Sequence, residues 1–322
     1  MNVFFLAAGL GTRLRPLTDK FPKPCVPFLN VPLGYYQFRF LQNQSISDCV
    51  ANTFHLPEQV SKLYKGQPYL KTEFSISAEA GAKILGSAGG LKKASQYFTA
   101  GDPILMMNAD EVYFTQKQEF LQSVLKQHSV NGNLATLVVM KHTGAGQKFG
   151  AIWCDEKNKV KTILAAKGVP EQRSEVLTPW HYIGAMVLDP KVLSLIPEGQ
   201  ETNIFYDILI HQLDRNSVEV FKLDCTWYET GNSADYLSAT KKLLMGLNPN
   251  DLNFINSYDP SHLVVNEGGV SLVSDSVQFS TANLKGYNVI AGSTNPAILA
   301  KMKMIENSVL FENEILNTRY FS

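Results

Sequence analysis

Residues 2–27 read NVFFLAAGLGTRLRPLTDKFPKPCVP. The run from Val3 to Ala8 is continuously apolar, the pattern of a strand buried on both faces. A turn follows at once, and the main-chain N–H groups of a turn leaving the C-terminal end of a parallel strand point into the crevice where α/β proteins take ligands. Gly9 and Gly11 remove the Cβ atoms that would hold a phosphate or base off that backbone. Arg13, Arg15, Lys20 and Lys23 come next, with Asp19 as the one acid among them. Pro16, Pro22 and Pro24 stiffen this segment, so less ordering entropy is lost when an anion arrives. A solvated basic loop is the bland reading; a phosphate-receiving loop is the sharper one.

Outward from that stretch, DCVANTF (48–54), PILMMNAD (103–110) and LATLVVM (134–140) repeat the apolar-run pattern. Between them GYYQFRFLQNQ (34–44) and KQEFLQSVLKQH (117–128) carry apolar residues at helical spacing. Alternation of this kind predicts an α/β fold, a Rossmann-like mixed sheet with helices on both faces. Further on, residues 149–164 read as a hairpin, 179–197 as a strand turning into a helix, and 234–247 as a helix. NPND (248–251) interrupts the pattern. The expected domains are therefore 1–247, carrying the site, and 248–322, a β-rich C-terminal piece. Val309, Ile315 and Phe321 lie six residues apart, which suits the coils of a short left-handed β-helix; a plain β-rich appendage remains the alternative.

The 322 residues carry zero formal net charge, 45% hydrophobic and 18% charged side chains. These are globular values, and charge balance argues against a nucleic-acid scaffold. No apolar run approaches the ~20 residues that span a bilayer, and NVFFLAAGL lacks the basic leader of a secretion signal. The four cysteines form no C-x-x-C pair, so reduced thiols and a cytoplasmic location are expected. Two familiar loops fail on spacing. GLGTRL lacks the third glycine of a dinucleotide fingerprint, and Gly-Lys-Ser/Thr is absent.

LAAGLGTRLRPLT…PKPCVP closely resembles the opening of the sugar-phosphate nucleotidyltransferases, particularly mannose-1-phosphate guanylyltransferase-like enzymes. VANTFHLPEQV (50–60), LGSAGGL (85–91), NAD (108–110), FGAI (149–152) and WYETGNSADYL (227–237) follow in the order of that family. The likeness covers roughly residues 1–245. It implies the nucleotidyltransferase fold and an attack by a sugar-1-phosphate on the α-phosphorus of an NTP, releasing pyrophosphate. The nucleophile is already anionic, so the site has to supply alignment and charge neutralisation more than a strong base.

The resemblance also assigns roles. Arg13 holds the departing phosphates, Lys23 neutralises the sugar phosphate and α-phosphate, and Ala8, Gly9, Gly11 and Thr12 line the nucleotide. Asp110 is the ligand of a Mg²⁺ cofactor. Glu229, where the family has Asp, is its second carboxylate, one methylene longer. Gly86 approaches the base, and Glu79 is the paired acceptor for guanine, although AGAK (80–83) inserts residues between it and the turn. Lys167, Gly150 and Gly184 face the sugar phosphate, yet LAAKGVP replaces the Glu-Lys-Pro of the family. A GDP-mannose-type product is favoured. A UTP-dependent amino-sugar enzyme and a catalytically weak sensing or scaffold subunit are the alternatives. A C-terminal appendage of this kind leads one to expect a homodimer.

Overall fold

The computed structural model describes residues 1–322 except 82, 165–169, 171–175, 216, 279–282, 300–301, 303 and 318–322. By packing, the chain divides into two compact units: Met1–Leu10 with Gln37–Trp227, and Gly11–Tyr36 with Tyr228–Ser322.

The first unit is built on a nine-stranded mixed sheet. Its strands are β1 (Asn2–Leu6), β2 (Asp48–Thr53), β3 (Phe74–Ala78), β4 (Ile104–Asn108), β5 (Ala135–Met140), β6 (Ala151–Cys154), β7 (Val160–Leu164), β8 (Thr178–Leu188) and β9 (Val218–Lys222). The order is β7-β6-β8-β4-β1-β2-β3, with β5 paired to both β8 and β9. β1, β2, β3 and β4 run parallel, and β8 runs antiparallel to β4. The hairpin expected over 149–164 forms as the antiparallel pair β6 and β7.

Both faces of β1 are covered, as its unbroken apolar run requires. Phe4 joins a cluster with Val50, Met106 and Met186, to which α2 (Gly86–Ala94) adds Ala88, Leu91 and Ala94. Phe5 points the other way, with ring centroids 5.2 Å from Phe38, 5.4 Å from Tyr64 of α1 (Pro57–Lys65) and 5.8 Å from Phe74. α3 (Phe120–Asn131) buries Phe120, Leu121 and Val124, three of the four positions its spacing picks out, and leaves the fourth, Leu125, half-buried. The helix expected over 34–44 is a tighter 3-10 turn, Leu33–Phe40, rich in the aromatic residues that lower α-helical preference.

In the second unit α4 (Ser233–Gly246) is capped by Asn232 and α5 (Pro249–Asn256) by Asn248, whose Oδ1 accepts from Asn250 and Asp251 N–H at 3.0 Å. NPND thus starts a helix, with Pro249 at the first position that tolerates it. The β-rich piece holds β10 (Ser261–Asn266), β11 (Gly269–Ser274), β12 (Leu284–Lys285), β13 (Asn288–Ile290), β14 (Ile305–Glu306), β15 (Val309–Phe311) and β16 (Glu314–Leu316). β11, β13 and β15 stack in parallel, so Leu272, Val289 and Val309 form one ladder and Val273, Ile290 and Leu310 another. β12 and β14 stack beside them, Leu284 on Ile305. Buried Asn288 ties the coils together, donating to Ser271 Oγ at 3.1 Å and accepting from Ser308 N–H at 2.9 Å.

These are stacked β-coils, but the six-residue spacing is not their origin. Leu310 faces Ile315 across an antiparallel hairpin, and Phe321 lies outside the described residues.

Candidate active site

In the first unit, the ends of four parallel strands fall on one edge of the sheet. Leu6 pairs with Asn108, Phe5 with Ala51 and Thr53 with Ala78. The ladder continues one step further, because Ala109 N–H donates to Leu6 O at 3.2 Å and Glu79 N–H to Thr53 O at 2.8 Å. The turn beginning at Ala7, the pair Asn52–Thr53, Glu79 and Asp110 therefore emerge along one rim. Asp110 is half-buried in the turn after β4. Ala8 is buried and Gly9 exposed, and a Cβ added at Gly9 would meet nothing within 4 Å.

LGSAGGL forms the first turns of α2. Gly86 adopts φ +72°, and a side chain there would come 2.7 Å from Thr202 O. Thr202 O also accepts from Ala88 N–H at 2.9 Å and Gly89 N–H at 3.3 Å, so two of the amide donors that open α2 are already engaged. Glu79, expected to read the base, has another employment. It is 6% exposed, its Oε1 accepts from Asn52 Nδ2 at 2.6 Å, and its Oε2 accepts from Leu85 N–H at 2.8 Å. Asn52 Oδ1 in turn accepts from Ala7 N–H at 2.7 Å and Ala8 N–H at 3.1 Å. The N–H of Ala8, a residue expected to line the nucleotide, is thus bonded inside the protein.

Gly184 lies at the register shift of β8 with φ +79°. A Cβ there would collide with Glu111 Cγ and approach Asn108 Cβ at 3.1 Å. The close approach expected of this glycine is thus made by the chain's own Glu111. That acid is fixed by Trp227 Nε1, which donates to its Oε2 at 2.7 Å. Beside it His181 sits among rings, 4.5 Å from Trp227, 5.1 Å from Phe149 and 5.5 Å from His142. Neither of its ring nitrogens has a hydrogen-bond partner. Burial, with His142 nearby, pulls its pKa down to about 4. Gly150 is half-buried just before β6. Lys167 lies outside the described residues.

In the second unit the basic loop is anchored by Leu14 and Leu17, both fully buried. Gly11, at φ +63°, leaves room for Thr18, whose Cγ2 would stand 2.9 Å from an added Cβ and whose hydroxyl donates to Gly11 O at 2.8 Å. Arg15 pairs with Asp19 at 3.0 Å on the surface, and Lys20 with the nearly buried Glu314 at 2.6 Å. Phe21 packs edge-on to Phe311 at 5.2 Å. Thr12 and Arg13 are exposed and Lys23 half-buried. Glu229 Oε1 accepts from Gly231 N–H at 2.6 Å, and a Cβ at Gly231 would meet both that oxygen and Arg13 Nη2.

A family model described as nucleotidyl transferase matches residues 3–246. The chain belongs to this family. It is 24% identical over 337 residues to a UTP–glucose-1-phosphate uridylyltransferase of Synechocystis, covering 97% of this chain and 83% of that protein. It is 29% identical over 281 residues to a mannose-1-phosphate guanyltransferase of Pichia angusta, covering 84% and 71%. Among solved structures, a putative glucose-1-phosphate thymidylyltransferase from Bacillus anthracis superposes with a TM-score of 0.62 at 22% identity, covering 77% of this chain and 96% of that one. That likeness is one of fold.

The two acids expected to hold a metal lie one in each unit, Asp110 in the first and Glu229 in the second. Asp110 and Glu229 offer carboxylate oxygens, and no group of three or more metal-ligating side chains occurs among the described residues. Mg²⁺ is commonly held by one or two carboxylates while phosphates and water complete its shell. Sequence reasoning missed Asn52, although it stands inside the quoted motif VANTFHLPEQV. No helix among the described residues is long and apolar enough to cross a membrane.

Proposed function

We propose that this nucleotidyltransferase moves a nucleoside monophosphate from an NTP to a sugar-1-phosphate, with GDP-mannose-type chemistry as the first reading. The observation that carries it is the common rim, where Asp110 leaves β4 one peptide beyond its pairing with β1, beside the turn that opens at Ala7. The 29% identity to a mannose-1-phosphate guanyltransferase supports the choice of base and sugar.

A phosphate oxygen of the sugar-1-phosphate bonds to the α-phosphorus, the bond from that phosphorus to the bridging oxygen breaks, and pyrophosphate leaves with the electron pair. No proton need move. Arg13 takes the charge of the leaving phosphates. Lys23 offsets the sugar phosphate and the charge that builds on the α-phosphate, the kind of preorganised stabilisation that dominates phosphoryl transfer. Asp110 and Glu229 would hold Mg²⁺, which when bound neutralises phosphate charge. The protein works in the cytoplasm, where its four free thiols stay reduced, and forms a homodimer, to which the exposed Leu263 and Val265 of β10 offer apolar surface.

Pyrophosphate release, coupled to pyrophosphatase, tests the reading across four NTPs and mannose-, glucose- and N-acetylglucosamine-1-phosphate. Turnover highest with GTP and mannose-1-phosphate is expected. Preference for UTP moves the assignment to the uridylyltransferase alternative, and inactivity with every pair overturns it.

A further inference from the structure

The hydrogen bonds around Asn52 form a chain with one sense. Leu85 N–H donates to Glu79 Oε2, Asn52 Nδ2 donates to Glu79 Oε1, and Asn52 Oδ1 accepts from Ala7 and Ala8 N–H. Asn52 is wholly buried, and Glu79 nearly so. The sense follows from chemistry: a carboxylate bonded at both oxygens by N–H donors accepts only. It compels the amide to turn its NH₂ toward Glu79 and its oxygen toward the turn. Gly90 of α2 makes the space, since a Cβ there would lie 2.6 Å from Asn52 Nδ2 and 2.7 Å from Glu79 Oε1.

We infer that Glu79 and Asn52 are positioning residues for the nucleotide loop. Glu79 selects the amide orientation of Asn52, and Asn52 clamps the Ala7–Ala8 peptides, so that the Gly9 backbone is presented in one conformation. The same carboxylate holds Leu85, where the LGSAGGL turn begins, so one side chain sets both small-residue turns of the rim. This inference rests on the proposed nucleotide role of the loop, and it replaces base reading as the work of Glu79. An unsatisfied buried donor is costly, which makes the direction of the chain hard to reverse.

The arrangement predicts a reciprocal swap. In Glu79→Gln, one end of the new amide must face a donor. Either its NH₂ meets Leu85 N–H, or it meets Asn52 Nδ2, and turning Asn52 over then sets NH₂ against Ala7 and Ala8 N–H. In Asn52→Asp/Glu79→Gln every bond returns. The new carboxylate at position 52 accepts from Ala7 and Ala8 with one oxygen and from the new amide at position 79 with the other. The oxygen of that amide accepts from Leu85.

The experiment compares wild type, E79Q and N52D/E79Q, all as full-length chains. Hydrogen exchange of peptides covering residues 5–10 should quicken by about 10-fold in E79Q and return to within about 3-fold of wild type in the double variant. Calorimetry with GTP and UTP should show weakened binding in E79Q and recovery in the double variant. In steady state the KM for NTP should rise in E79Q while the KM for sugar-1-phosphate holds, a split that general destabilisation does not produce. If E79Q fails to fold, a folded double variant with wild-type exchange supports the pairing, and an unfolded one overturns it. Wild-type exchange and affinity in E79Q, or a double variant no better than E79Q, also overturn it. Exchange does not depend on turnover, so an inactive wild type would sink the proposed reaction and leave this test standing.

Discussion

His181 should make the protein lose stability in mild acid. Its ring nitrogens are unbonded and its pKa is pulled down to about 4 by burial, with His142 adding to the effect. In the unfolded chain the same imidazole titrates at about 6.5. Between those values the unfolded state binds the proton and the native state does not, so stability falls as pH drops through this window and is fully retained above it. From pH 7 to pH 4.5 the two pKa values give a loss of about 2.5 kcal/mol for this one group. The perturbation is His181→Leu, which nearly conserves volume and removes the titrating group. Urea unfolding of both proteins at the two pH values yields a double difference in which the pH-independent cost of the substitution and the carboxylate titrations cancel. The wild type should lose about 2.5 kcal/mol more than the variant. Equal losses would mean that the native imidazole takes up its proton as readily as the unfolded one, and the picture of a neutral, unpartnered ring among Trp227, Phe149 and His142 would fail.

Gly184→Ala should destabilise by about 3 kcal/mol in urea, because a left-handed φ and an overpacked Cβ against Glu111 each cost roughly 1–3 kcal/mol; a loss below about 1 kcal/mol would contradict that geometry. Burial, together with neighbouring Glu312, Asp48 and Asp224 respectively, pushes the thiols of Cys25, Cys49 and Cys225 up to about 12. Labelling by a disulfide reagent at pH 8 should therefore run about 1,000-fold slower at these sites in the native protein than in urea, and rapid native labelling at any of them would refute it. Asp110→Asn should lower kcat at least ~100-fold at saturating Mg²⁺; near-normal turnover would remove this residue from the mechanism.

How far the sequence carries differs from element to element. Strands β1 and β4 are legible in the apolar runs at 3–8 and 103–107 because burial on both faces leaves no polar position to break the run. The strand-end placement of Asp110 follows from the same reading. Gly184 is legible as a site of close approach, but what approaches it is not, since Glu111 comes from the turn after β4, seventy-three residues earlier. The β-rich C-terminal piece forms as expected, but the spacing offered for its coils is misread for a related reason. Their ladders join Leu272 to Val289 to Val309, residues seventeen and twenty apart, while the six-residue spacing belongs to a hairpin.

Glu79 shows where a one-dimensional reading stops. A carboxylate upstream of a glycine turn looks the same in sequence whether it faces a ligand or the interior. What decides is the donor on the other side, and here that donor is an asparagine twenty-seven residues earlier, brought within 2.6 Å by the parallel pairing of Thr53 with Ala78. The pairing also explains why two apparently separate motifs act together. Asn52 stands one residue before the end of β2 and Glu79 one residue after the end of β3, so the register that builds the sheet also brings the two side chains together at the rim. A register slip of one residue would turn Asn52 to the opposite face, breaking the bonds that hold the Ala7–Ala8 turn. The loop's conformation is therefore tied to the sheet beneath it, and not to the glycines alone.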